Sequence, residues 1–416
     1  MIRSNIIQIL TDYRQFQIFI LGIFSAMPLG IIYTTLAAWM TQANIDLAII
    51  TSFALARVFY SLKMFWAPFV DHIKIPLLNG LGRRKSWICL MFAIVSIIVF
   101  SYGSLNPAES TGKIYILTLL LAFFSATLDV AIDAFRIDTT AREKLSLAAA
   151  NAVFGYRIGL LIVGAGAFYV ATDYGWKAVF TTISCLYAGG IFFVLTLTEL
   201  DTDRKNPDSL SLNFWKTAII DPFKDFFKRK HSILILSAVI FYKFSDATVG
   251  VVATPFYMKL GFSLKEILWV AKLYGVIAIL CGAYIGGIVM LKCGNIKGLV
   301  ICGFVQGITN LMFIWLNYCG HNMNALITTI TVENIASGMG DTALVGYLSY
   351  LCNRRFSATQ YALLASAAGL FSHSIVAVGG MIVNFIGWDN YFIMTVFLAL
   401  PGIIMLVFLD KKFKTS

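Results

Sequence analysis

Charge is sparse in this sequence. Asp, Glu, Lys and Arg make up 13% of its 416 residues, against 59% hydrophobic residues and a mean hydropathy of +0.81. A soluble domain of that length could not keep so much apolar side chain from water, so the soluble classes are excluded. Histidine is scarce too, at four residues, and only His373 falls inside a predicted helix. A membrane-embedded acyltransferase would want a catalytic His near the midplane beside a second catalytic group. No such second group is recognisable, so His373 reads as a packed or cavity residue, and no catalytic, cofactor or metal site is assigned. The seven cysteines form no disulfide framework. Cys89, Cys185, Cys281 and Cys302 fall inside predicted helices, Cys293 and Cys352 at helix ends, and Cys319 reaches the outer side without a partner.

What the sequence has in abundance is long apolar segments. Twelve are long enough, at about 1.5 Å per residue, to cross a hydrocarbon core of roughly 30 Å. They lie near 16–40, 45–70, 87–105, 114–137, 146–172, 176–197, 232–257, 265–291, 297–317, 323–351, 358–384 and 388–409. The chain reads as an all-α integral membrane protein. Its net charge of +11 is not a nucleic-acid signal. Of the 32 Lys and Arg, most sit in the N-terminus, the even-numbered loops or the C-terminal tail. That bias places both termini in the cytoplasm. The first apolar run exceeds a signal-peptide core and becomes the first span.

The stretch Ser125-Ala-Thr-Leu-Asp129-Val-Ala-Ile-Asp133-Ala-Phe-Arg136-Ile-Asp138 is the centre of the reading. At about 100° per residue, Asp129, Asp133 and Arg136 fall within roughly 60° on one face of the fourth helix, while Asp138 points toward its end. A carboxylate at membrane depth must face partners, water or substrate, so this stripe is a working polar face. In the second helix, Arg57 is too deep to reach the interface and is expected to face a cavity. Lys63 either does the same or snorkels to the cytoplasmic end. Arg157, in a small-residue fifth helix, needs an acid, and Asp129 and Asp133 are the nearest candidates. Tyr156 beside it offers an amphipathic surface for a sugar or peptide.

The second half repeats the first. Gly175-Trp176 recurs as Gly387-Trp388, and Asp129 as Asp341, at one offset of 212 residues. The expected domains are therefore a six-helix bundle at 1–198, a cytoplasmic amphipathic linker at 199–231 broken by Pro222, and a second bundle at 232–416. The second bundle carries Lys243 and Asp246, three apart and able to pair, with Lys272 in helix eight and Glu333 and Asp341 in helix ten. Asp71 followed by Gly82-Arg83-Arg84-Lys85 resembles the cytoplasmic signature of the major facilitator superfamily. The resemblance implies that the acid and the basic cluster latch neighbouring helix ends, although His72 to Leu81 separates them here.

The buried charges suggest a mechanism. Guanidinium and ammonium groups suit an anionic solute, and buried acids suit proton coupling. Asp129 and Asp133 are expected to carry the proton with Arg136 or Arg157 modulating them. Arg57, Lys63, Tyr156, Lys243, Asp246, Lys272 and Glu333 are expected to line the substrate path. A channel is disfavoured by the duplication and the lack of a pore-like ring.

A family resemblance is carried by six stretches in order along the chain: Ser61-Leu-Lys-Met-Phe-Trp-Ala-Pro, Asp129 to Asp138, Asn151-Ala-Val-Phe-Gly-Tyr-Arg157, Tyr242-Lys-Phe-Ser-Asp246, Glu333-Asn-Ile-Ala-Ser-Gly-Met-Gly340 and Cys352 to Tyr361. Together they resemble the AmpG-type muropeptide permeases; the related acetyl-CoA transporters share the lineage, and transport of such an anionic metabolite is the nearest rival reading. The resemblance implies a major facilitator superfamily fold of twelve helices in two halves in the bacterial inner membrane, and a monomer is expected. It also implies proton-driven import of anionic anhydro-muropeptides for cell-wall recycling, by a transporter rather than an enzyme.

Overall fold

The computed structural model describes residues 13–45, 47–53, 56, 58–73, 75–199, 220–377 and 379–414, and among them no strand occurs. Arg57 and most of the predicted linker lie outside the described residues. The helices are α1 (Tyr13–Gly30), α2 (Leu36–Gln42), α3 (Leu47–Ser52), α4 (Val58–Leu62), α5 (Ala67–His72), α6 (Arg83–Tyr102), α7 (Pro107–Thr139), α8 (Leu145–Leu161) and α9 (Ala167–Leu195). They continue as α10 (Asp221–Phe227), α11 (Ser232–Lys259), α12 (Leu264–Ile267), α13 (Gly275–Cys293), α14 (Asn295–Thr309), α15 (Leu311–Cys319), α16 (Met323–Leu351), α17 (Ser357–Ala377), α18 (Gly379–Ile386) and α19 (Trp388–Lys414).

Eight helical stretches among the described residues are long and apolar enough to cross a membrane. One of them, Arg142–Leu195, runs 54 residues, and at about 1.5 Å per residue that suffices for two passes of a roughly 30 Å core. It turns at Gly175, whose φ is 76°. The predicted segments 45–70, 323–351 and 358–384 fall outside the eight. The first is divided into the short helices α3 to α5 with a 3-10 turn at Lys63–Phe65. In the second, the Thr, Asn, Gly and acidic residues of α16 dilute its apolar content.

Packing divides the chain into two units. One comprises Met1–Thr140, Phe154–Lys224 and Cys352–Leu363, and the other Ala141–Val153, Asp225–Leu351 and Leu364–Ser416. The boundaries fall inside α8 and α17, so the first turns of these two helices each complete a unit to which the rest of the helix does not belong. The core of the first unit joins Leu21 and Met27 of α1, Phe92 and Val99 of α6, Leu121 and Leu128 of α7, and Phe180 and Tyr187 of α9. In the second, Phe313 stacks on Phe392 with ring centroids 4.9 Å apart, beside Phe256.

Lipid gives helices little hydrophobic reason to associate, so close backbone approach matters instead. In the first unit, Gly155 and Gly159 of α8 lie against the main chain of Phe19 and Ile23 in α1, where a Cβ would overlap carbonyl oxygens.

The offset of 212 recurs through the backbone. Helix α7 ends at Thr139 and α16 at Leu351. A 3-10 turn follows at Arg142–Lys144 and again at Arg354–Phe356, and α8 starts at Leu145 as α17 does at Ser357. Gly82 and Gly294, at φ 90° and 82°, precede α6 and α14; Gly175 and Gly387, at 76° and 80°, precede the last long helical run of each half. These left-handed conformations are accessible to glycine and strained for other residues.

Candidate functional site

Helix α7 starts cleanly because the Asn106 side chain accepts from the Ala108 amide and Pro107 occupies the first turn. Its long run brings Asp129, Asp133 and Arg136 onto one face. The Ser25 hydroxyl of α1 donates to Asp129 Oδ1. Lys63 Nζ lies 3.4 Å from Asp129 Oδ2 and 4.0 Å from Asp133 Oδ2. Arg136 Nη2 lies 2.9 Å from Asp133 Oδ1. The four charged groups are thus two carboxylates with a lysine between them and an arginine at one end. Lys63 is 9% and Arg136 1% exposed at the side chain, while Asp129 and Asp133 keep 16% and 22%. The two cations are the more deeply buried members of the cluster.

The 3-10 turn at Lys63–Phe65 positions that lysine. Of the two sequence readings of Lys63, snorkelling and an inward role, the structure shows it turned onto the acids. Tyr60 and Ser125 share a hydrogen bond of 2.6 Å between their hydroxyls, and Trp66 Nε1 donates to Thr127 Oγ1 at 3.0 Å. These fix the broken second helix against α7. Arg157 and Tyr156 are half-buried on α8.

In the second unit, Lys243 of α11 pairs with Asp341 of α16. Asp129 and Asp341, one repeat apart, are therefore each tied to the first long helix of their own half. Glu333 is half-buried on α16, two turns before Asp341. Asp246 and Lys272 lie on α11 and on the π-helical turn Leu268–Tyr274, and their side chains are outside the described set.

The residues expected to form a latch do converge. The segment between them folds back through a 3-10 turn at Pro76–Leu81, so the separation in sequence disappears in space. Arg84 Nη2 lies 2.7 Å from Asp71 Oδ1, its Nε 2.9 Å from Asp138 Oδ2, and it donates to the Val70 carbonyl and the Ser357 hydroxyl at 2.9 Å each. Asp71 Oδ2 accepts from the Thr359 amide at 2.8 Å and the Thr359 hydroxyl at 2.7 Å, and Oδ1 from the Ala358 amide at 3.2 Å. Arg83 donates to the Asp71 carbonyl at 2.5 Å. Asp71 thereby caps the start of α17, where unsatisfied amides attract a carboxylate. Asp71 lies just beyond the second predicted span. Burial pushes its carboxyl up, but Arg84 and the hydrogen bonds from Arg84 and Thr359 outweigh that and hold it below the usual carboxylate range.

Gly82 places its Cα against the Glu199 carboxylate, which accepts from the Arg84 and Lys85 amides at 2.9 and 3.1 Å. Sequence reasoning missed Glu199, Ser25, Ser357, Thr359 and Tyr361, and gave Asp138 no role. Asp138 and Glu199, charges at helix ends, carried a local signal, while Ser357, Thr359 and Tyr361 lie in a stretch that carried only the family resemblance.

The sequence profile of the Major Facilitator Superfamily matches residues 18–245 and again 235–416. A Rickettsia conorii protein bearing the name AmpG 4 is 48% identical over 410 residues, covering 98% of this chain and 99% of that protein. An Escherichia coli K12 protein named anhydromuropeptide permease is 32% identical over 406 residues, covering 97% of this chain and 81% of that one. A Rickettsia bellii protein bearing the name AmpG 1 is 30% identical over 402 residues, covering 95% and 98%. With its two matched halves, its apolar helices and its buried charged face, the chain belongs to the major facilitator superfamily, in the AmpG group, and is a multi-pass membrane transporter of a small molecule.

Proposed function

We propose that this transporter is a proton-motive-force-driven inner-membrane permease that imports anhydro-muropeptides for peptidoglycan recycling by alternating access. The observation that carries the reading is the position of Lys63 between Asp129 and Asp133. While both acids are ionised they occupy the lysine. Protonation removes their claim on it, and the freed ammonium can take a carboxylate of the incoming glycopeptide. Substrate and proton then load together, because each weakens what the other must displace. The name of the Escherichia coli relative supports the substrate class. Six-helix bundles at 1–198 and 232–416 joined by the 199–231 linker are part of the reading, as is a monomer with both termini in the cytoplasm.

Arg57, Tyr156, Lys243, Asp246, Lys272 and Glu333 are assigned to the substrate path. Arg157 is assigned with Arg136 to tuning the acids. Asp71, Gly82, Arg83 and Arg84 hold the start of α17 until the loaded state releases it.

Uptake of labelled anhydro-muropeptide into proteoliposomes under an imposed pH gradient tests this. The expected result is saturable, gradient-dependent accumulation that a protonophore collapses and that acetyl-CoA does not compete away. Uptake indifferent to the gradient, or accumulation of acetyl-CoA instead, overturns it.

A further inference from the structure

The start of α17 is gripped a second time, away from Asp71. Tyr361, two residues beyond Thr359, is 6% exposed, and the Arg136 guanidinium lies over its ring with Cζ 5.2 Å from the centroid. A cation over an aromatic face is attracted by the ring quadrupole, more so when water is excluded. Arg136 is the residue that also holds Asp133 at 2.9 Å. One buried guanidinium therefore touches both the acid face of α7 and the segment that Asp71 caps.

We propose that Arg136 and Tyr361 are a positioning pair that passes the protonation of Asp133 to the start of α17. The proposal rests on the reading that Asp129 and Asp133 carry the proton. With Asp133 ionised, its Oδ1 fixes the guanidinium in the plane where Tyr361 seats against it. A proton on Asp133 replaces a charge-assisted hydrogen bond with a weaker neutral one, and the guanidinium loses that fixed position. Tyr361 then loses its seat, and α17 is left to the Asp71 clasp alone. The two grips lie within five residues of chain, so loosening one loads the other.

The groups able to bias this pair are few. Asp133 faces Lys63 and Arg136, and Asp129 on the same helix couples to it. Asp129 in turn faces Lys63, Ser25, Tyr60 and Tyr187. Tyr361 faces Arg136, Asp133 and Cys352. Lys63 competes with Arg136 for Asp133, approaching Oδ2 while Arg136 holds Oδ1.

The test compares Tyr361→Phe with Tyr361→Leu in full-length protein in proteoliposomes. Two readouts are taken: gradient-driven accumulation of anhydro-muropeptide across a pH series, and gradient-free exchange of the same substrate. The expected result is that Y361L flattens the pH profile and loses about tenfold in accumulation, within the usual range of coupling effects, while exchange changes less than about twofold. Y361F, which keeps the ring but loses the hydrogen bond between its hydroxyl and Arg136, falls between Y361L and the wild type in its pH profile. Should Y361L not fold, Tyr361→Met, an unbranched side chain that fits irregular gaps, carries the same expectation. A wild-type pH profile in Y361L, or equal loss of exchange and accumulation, overturns the proposal. Replacing both Asp129 and Asp133 with Asn separates the two claims: full gradient-driven uptake in that double variant refutes the proton reading itself, whatever Tyr361 does.

Discussion

Thr359 donates both its amide and its hydroxyl to one oxygen of Asp71, at 2.8 and 2.7 Å, across 288 residues of chain. A carboxylate so placed does two things at once. It satisfies the first turn of a helix, and it neutralises the buried Arg84 beside it.

Asp71→Asn keeps the shape and removes the charge, leaving Arg84 with Asp138 as its carboxylate partner. Breaking a buried pair by removing one member costs about 3–5 kcal/mol. Lower thermal stability in detergent is therefore expected, with uptake down about tenfold or more. Unchanged stability in D71N would mean that the clasp contributes nothing to the folded state.

The same carboxyl sets an acid limit. Because its folded pKa lies below the unfolded value of about 3.9, its contribution is fully present above that value and is lost as pH falls through the folded value. The stability of the wild type should therefore be insensitive to this group between pH 5 and 8 and should fall below about pH 4. D71N should show a flatter acid limb. Thermal unfolding across a pH series, with wild type and variant side by side, measures the difference.

Lys63 serves two acids, so its loss should not add simply to theirs. Lys63→Met alone should abolish gradient-driven uptake and destabilise the protein. Combined with Asp129→Asn, the destabilisation should be smaller than the sum of the two by about 0.5–3 kcal/mol, the usual coupling for groups in contact. Strict additivity in that double-mutant cycle would argue against a shared network.

Two glycines give a packing contrast. Gly159→Val would drive a side chain into the Ile23 carbonyl of α1 and should cost several-fold in folded yield, since overpacking costs about 1–3 kcal/mol and backbone yields little. Gly164→Ala, in the π-helical turn Ile162–Gly166, meets no atom within 4 Å and should be within about 0.5 kcal/mol of neutral. Size-exclusion yield and thermal stability of the two variants read this directly.

The Asp129–Asp133–Arg136 face was legible in the sequence because helical periodicity is local and charges in an apolar run stand out. Its partners were less so. Lys63 could be read two ways because a 3-10 turn, invisible in a hydropathy pattern, decides where its ammonium points. Lys243 offered Asp246 three residues away as a local partner, whereas its pairing with Asp341 on another helix could not be read from spacing along one helix. Thr359, Ser357 and Tyr361 are ordinary polar and aromatic residues, common in any helix, and their roles exist only once distant chain is brought alongside. The duplication was visible at Gly175 and Gly387 because a tryptophan follows both. At Gly82 and Gly294 the flanking residues differ, Arg-Arg-Lys against Asn-Ile-Lys, and only the backbone shows the match.

That last divergence has a consequence. Gly294 kept the bend of Gly82, yet the position one repeat after Asp71 is Ala283 and the one after Arg84 is Ile296. The copied scaffold retained its joint on both sides and its ionic fastening on one. Doubling can supply redundancy, but neither Asp71 nor Arg84 recurs at the offset of 212. A single inherited change at Asp71 or Arg84 meets no second copy able to cover for it.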